Sequence, residues 1–252
     1  MKALFERIHF YVAFVLGGIW FLVCSGLGSL WLLVKPHNRQ TLYVFGKVFC
    51  AVFAKAMGWR VEVEHRERLE DCRPCVIVAN HQSFLDVVTY GSMFPRRTVS
   101  AGKREIGRIP LFGWFYRLSG NLVIDRSHAR SAHDALEAAA KAMADEKISL
   151  WFMPEGHRNK GRELLPFKTG AFRLAADTQA PIVPVVAEPL DVVVDTRRLL
   201  ARRGTLRIRV LPAVPPPRSA EDEQDVVACA ARVRGAMQTE LDSLRATASD
   251  VL

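Results

Sequence analysis

In "CVIVANHQSFLDVV", residues 75 to 88, a histidine is followed five positions later by an aspartate, a pair with the residue types for proton transfer. The apolar run before it reads as a buried strand stopping at Asn80. His81 therefore opens a loop, and Asp86 falls about one turn into the helix that follows. An aspartate accepting from one ring nitrogen fixes the imidazole tautomer and leaves the other nitrogen able to take a proton from a hydroxyl. No serine or cysteine sits in a G-x-S-x-G elbow, so the attacking hydroxyl would have to be the substrate's own.

Other chemistry-bearing residues fall where further strands should end. Lys103 follows "SAG", Arg126 follows "NLVID", and the loop beginning at Pro154 holds Glu155, Arg158, Lys160 and Arg162. Convergent cations beside a base point to an anionic, phosphate-bearing substrate, which arginine can grip through two parallel hydrogen bonds. Any one of them taken singly could equally pair with a surface carboxylate. No H-E-x-x-H pattern or Cys/His cluster with zinc spacing is present, and neither a metal nor a resident cofactor is expected. "CRPC" at 72 to 75 has redox spacing, but its second cysteine opens a strand, not a helix N-terminus where a thiolate would be stabilised. The five cysteines read as reduced and structural.

These residues need elements to hold them. From Arg60 onward short β-rich runs (60 to 64, 75 to 80, 97 to 102, 121 to 125, 148 to 153, 181 to 187 and 205 to 211) alternate with helical stretches. Such alternation predicts an α/β fold with a mostly parallel central sheet flanked by helices, its ligand site at the carboxyl ends of the strands. Val226, Ala230, Val233, Met237, Leu241 and Leu244 mark a C-terminal amphipathic helix. The expected division is an N-terminal membrane-associated helical region, 1–59, and an α/β domain, 60–252. Residues 11 to 34 carry no charge and, as a helix, would reach ~36 Å, enough for a ~30 Å hydrocarbon core. Glycines and serines in "CSGLGS", 24 to 29, favour a hairpin dipping into one leaflet over a single span. The segment 41 to 59 fits an interfacial helix. The formal charge of +9 and the run "TRRLLARRG" fit an anionic membrane surface or an acidic carrier protein. No nucleic-acid-binding motif accompanies the charge.

"NHQSFLD", the stretch from Lys103 to Gly113, "IDR" at 124 to 126, "PEGHRNKGRELLPFKTGAF" and "PIVPV" follow the block order of the phospholipid/glycerol acyltransferases. The chain resembles most the bacterial 1-acyl-sn-glycerol-3-phosphate acyltransferases, over most of residues 1 to 215. The resemblance implies transfer of a fatty acyl group from acyl-CoA or acyl-carrier protein to the sn-2 hydroxyl of lysophosphatidic acid, giving phosphatidic acid in phospholipid synthesis. It implies His81 as base, Asp86 as its partner, Glu155 and Gly156 in the acceptor site, and Lys103, Arg126 and Arg158 near the phosphate. It also implies a bacterial inner membrane, with the site on the cytoplasmic face. Met153, His157 and Asn159 depart from the family's usual F-P-E-G-T-R-S, which keeps another lysolipid, lyso-ornithine lipid or glycerol 3-phosphate open as acceptor.

Overall fold

The computed structural model describes residues 2–124, 129–159, 163–195 and 198–249. In chain order it has α1 (Lys2–Val34), then α2 (Thr41–Phe45), which continues through one π-helical turn (Gly46–Cys50) into α3 (Ala51–Met57). There follow β1 (Trp59–Glu64), α4 (Glu67–Asp71), β2 (Val76–Ala79), α5 (Asp86–Gly91), β3 (Thr98–Lys103), α6 (Phe112–Leu118), β4 (Leu122–Ile124) and α7 (Ala129–Glu146). The remainder is β5 (Ser149–Phe152), α8 (Gly170–Thr178), β6 (Ile182–Ala187), β7 (Val194–Asp195), β8 (Leu200–Ala201), β9 (Gly204–Val210) and α9 (Glu223–Ser249).

Each β-rich run of the sequence becomes a strand of one seven-stranded sheet, in the order β1-β9-β6-β2-β5-β3-β4. β6, β2, β5, β3 and β4 are parallel to one another, while β9 is antiparallel to β6 and β1 is parallel to β9. The five parallel strands therefore deliver their carboxyl ends to one edge. β2, β5 and β6 are buried along their whole length, as expected where helices cover both faces. On one face α7, α8 and α9 close a core containing Met143, Phe172, Val233 and Met237, and every apolar position anticipated for the C-terminal helix is buried. On the other, α4 and α5 bring Leu69, Tyr90 and Met93 against Ile77, Trp151 and Val185.

The N-terminal segment corrects one expectation. α1 is a single unbroken helix, not a hairpin. Ser25 and Ser29 return their hydroxyls to the carbonyls of Phe21 and Ser25, at 2.6 and 2.8 Å, so neither hydroxyl calls for a break. The glycines serve as contact points: a Cβ on Gly17 would lie 2.0 Å from the Phe53 ring, and one on Gly28 2.7 Å from Phe115. Ring packing thus recovers what glycine costs the helix. Along its length α1 buries one stripe, through Phe10, Ala13, Ser25 and Leu32, against α3, α6 and β8. Leu4, Ile8, Val15, Ile19, Leu27 and Leu30 are among the exposed apolar residues of its open face. Within Leu4–Val34 an 18-residue window reaches a mean hydropathy of 2.1, so this open face is suited to lipid. In the described part of the basic run, 198 to 204, β8 pairs with β7 and packs against α1, burying Leu200 and Ala201.

Candidate active site

β2 ends at Ala79, and two residues later the chain presents His81 at the edge where the parallel strands terminate. Its Nδ1 lies 2.7 Å from Asp86 Oδ2. A carboxylate only accepts, so Nδ1 carries the proton and the lone pair is on Nε2. Asp86, the first residue of α5, is 2 % exposed, and its Oδ2 also accepts the backbone N–H groups of Gln82 at 2.7 Å and Ser83 at 3.0 Å. Three donors converge on that one oxygen and offset part of the cost of burying the carboxylate. The loop thus folds around Asp86, and the imidazole has little freedom to turn.

The loop after β5 locks His81 from the other side. Met153, Pro154, Glu155 and Gly156 form a turn closed by Gly156 N–H to Met153 O at 3.1 Å, with Gly156 at φ +75°, a conformation glycine adopts without strain. Glu155 Oε1 accepts the backbone N–H of His81 at 2.8 Å, and Oε2 accepts that of Leu165 at 3.1 Å. The backbone N–H of Asn159 donates to His81 O at 2.7 Å. Both backbone groups of His81 are thereby held.

A cavity of about 960 Å³ opens onto this edge. His81, Lys103, Gly156, His157 and Arg158 border it, and the rest of the wall is mostly apolar, with Phe21, Phe45, Phe49 and Phe53 from the N-terminal helices and Phe112 from α6. The volume lies at the upper end of the usual range for ligand pockets, ~300–1,000 Å³. Phe84 of the His81 loop meets Phe14 of α1 edge-on, ring centroids 5.8 Å apart, so the apolar helix reaches the catalytic loop itself. A base, two cations and a long apolar wall around one space suit a substrate with an anionic head and a hydrocarbon chain.

The structure brings His81, Asp86, Lys103, Gly156 and Arg158 to this edge, as the strand-end argument requires. Glu155 is placed beneath the loop, 2 % exposed and outside the cavity wall, with its carboxylate turned to backbone donors. Arg126, Lys160 and Arg162 lie outside the described residues. Cys72 and Cys75 are free thiols, and burial pushes the Cys75 thiol up to about 11, so it stays protonated. Three polar neighbours of His81 escaped the sequence reading: Asn80, Gln82 and Tyr90. The first two flank the histidine directly, which was the available signal.

The acyltransferase family model matches residues 60–188. The 1-acyl-sn-glycerol-3-phosphate acyltransferase of Salmonella typhimurium is 35 % identical over 223 residues, covering 88 % of this chain and 89 % of that protein. The human 1-acyl-sn-glycerol-3-phosphate acyltransferase beta is 36 % identical over 193 residues, 76 % of this chain and 69 % of that one. The crystal structure of the 1-acyl-sn-glycerophosphate (LPA) acyltransferase PlsC from Thermotoga maritima superposes with a TM-score of 0.73 over 97 % of both chains, at 19 % identity, a likeness of fold.

Proposed function

Since the chain belongs to the acyltransferase family, we infer that it transfers a fatty acyl group to the sn-2 hydroxyl of 1-acyl-sn-glycerol 3-phosphate and so makes phosphatidic acid. The single observation that carries the mechanism is the His81–Asp86 pair, bonded through Nδ1 at 2.7 Å, on the wall of a cavity shared with Lys103 and Arg158. His81 Nε2 takes the proton of the acceptor hydroxyl as its oxygen attacks the thioester carbonyl. The tetrahedral intermediate then collapses, the C–S bond breaks, and the departing thiolate takes the proton from the imidazolium. Asp86 stabilises that transient charge, and a placed base of this kind contributes ~10²- to 10⁴-fold in rate. No acyl-enzyme forms.

Lys103 and Arg158 hold the phosphate, with Gly156 giving the head group close access to backbone. The thioester donor is acyl-CoA or acyl-carrier protein, and the apolar wall receives an acyl chain, each buried methylene contributing ~0.8 kcal/mol. The acceptor's own chain keeps it in a bilayer. α1 lies along the domain with its open face in one leaflet, on the cytoplasmic side of a bacterial inner membrane, so lipid and soluble donor meet at the same edge.

The test is acyl transfer by detergent-purified protein and its His81→Ala variant, using labelled acyl-CoA with lysophosphatidate, lyso-ornithine lipid and glycerol 3-phosphate in parallel. A diacyl product from lysophosphatidate, lost by at least ~10²-fold in the variant, is the expected result. Preference for another acceptor overturns the substrate, free fatty acid as the product overturns transfer, and a variant as active as wild type overturns the base.

A further inference from the structure

We propose that Asn80 and Gln82 are positioning residues, whose carboxamides clamp the His81 loop to the end of β6 and so fix where His81 Nε2 stands. The backbone ladder between β2 and β6 stops at the pair Ala79 and Val185, because the chain must leave the sheet to present the histidine. Side chains take over from there. Asn80 Nδ2 donates to Ala187 O at 3.1 Å, and Asn80 Oδ1 accepts the Ala187 N–H at 2.9 Å, so one carboxamide satisfies both peptide groups of a β6 residue. Gln82 repeats the device two positions on. Its Nε2 donates to Ala187 O at 3.1 Å and Glu188 O at 3.0 Å, and its Oε1 accepts the Leu190 N–H at 3.3 Å.

The clamp reaches Asp86 as well. Tyr90, four residues along α5 from Asp86, donates its hydroxyl to Asn80, 2.7 Å from Oδ1 and 3.0 Å from the backbone oxygen. Burial, with the charges of Asp86 and Glu155 beside it, raises the Tyr90 hydroxyl well above its ordinary pKa, so it remains a donor. The distance between His81 on the loop and Asp86 on α5 is therefore set where β2, β6 and α5 meet, at Asn80. Asn80 is 1 % exposed and Tyr90 2 %, so water does not compete for these bonds.

Neither Asn80 nor Gln82 borders the cavity, although His81 between them does. They touch no substrate, and whatever they contribute to turnover passes through the histidine. A misplacement of ~1 Å in a reacting group costs on the order of 10²-fold. The inference rests on His81 being the base.

Gln82→Met keeps length and removes all three of the side chain's bonds. We expect kcat to fall ~10- to 100-fold, both KM values to stay within about threefold, and the melting temperature to move by only a few degrees. The deciding measurement is a double-mutant cycle. If Gln82 acts through His81, adding Gln82→Met to His81→Ala lowers the residual activity no further, whereas an independent structural contribution lowers it again. Gln82→Asn, shorter by a methylene, carries the same expectations should the methionine variant fail to fold. An unchanged kcat, a rise confined to KM, or additive losses in the cycle would overturn the clamp. A wild-type rate in His81→Ala would instead sink the base beneath it, so the two failures are distinguishable.

Discussion

At the catalytic edge, Asp86 Oδ2 alone receives three hydrogen bonds of 3.0 Å or less, whereas the layer formed by α1, α2 and α3 is held by aromatic rings. Phe45 and Phe115, and Phe21 and Phe112, sit with centroids 4.7 Å apart, and Phe21 and Phe49 5.2 Å apart. Directional bonds place an atom to a fraction of an ångström, as a proton-transferring nitrogen requires. Ring packing instead defines a volume, and tolerates small slides within it. Damage to the first region should therefore appear in kcat, and damage to the second in which acyl chains are accepted.

The largest effect expected is at the polar edge. Asp86→Asn keeps an acceptor oxygen for the backbone donors but removes the charge that stabilises the imidazolium, so kcat should fall by at least ~10²-fold. Steady-state kinetics with lysophosphatidate checks this, and a near-normal kcat would place Asp86 among the structural residues. In the apolar layer two adjacent glycines should separate shape from stability. Gly17 faces Phe53 at 2.0 Å from its would-be Cβ, so Gly17→Leu should cost ~1–3 kcal/mol in denaturant unfolding. Gly18 borders the cavity with nothing within 4 Å of its would-be Cβ, so Gly18→Leu should leave stability nearly intact and shift preference toward shorter acyl chains. Competition between donors of different length reads that shift, and an unchanged profile would remove this wall from chain selection.

The smallest effect expected lies away from the catalytic edge, where the N-terminal layer is tied to the segments that lead into β4 and β5. Arg39, between α1 and α2, donates twice to Glu146 at 2.7 Å and once to Gly120 O at 2.8 Å. These bonds lower the Glu146 pKa below its ordinary value of 4.5. A carboxylate whose folded pKa is depressed adds stability above its unfolded pKa and loses it as pH falls through the folded one. Arg39→Ala should thus destabilise modestly at neutral pH, because the Glu146 side chain is 41 % exposed and screened. The difference from wild type should shrink as pH falls below 4.5, which melting curves across pH would reveal.

The sequence by itself determined the seven strands, the amphipathic α9 and the pairing of His81 with Asp86. Apolar periodicity and a polar residue at a strand's end are local properties, and a five-residue spacing leaves the loop little choice but to close on its aspartate. Tertiary structure decided the rest. "CSGLGS" looks like a helix breaker until the Phe115 ring of α6 fills the space that Gly28 leaves. The two oxygens of Glu155 meet the backbone N–H groups of His81 and Leu165, partners that come together only in the fold. The cavity joins α1, α2, α3, α5 with the loop before it, and the strand ends, and no local pattern records it. Periodicity tells which side of an element is buried, whereas the shape of an enclosed space depends on where separate elements stop against one another.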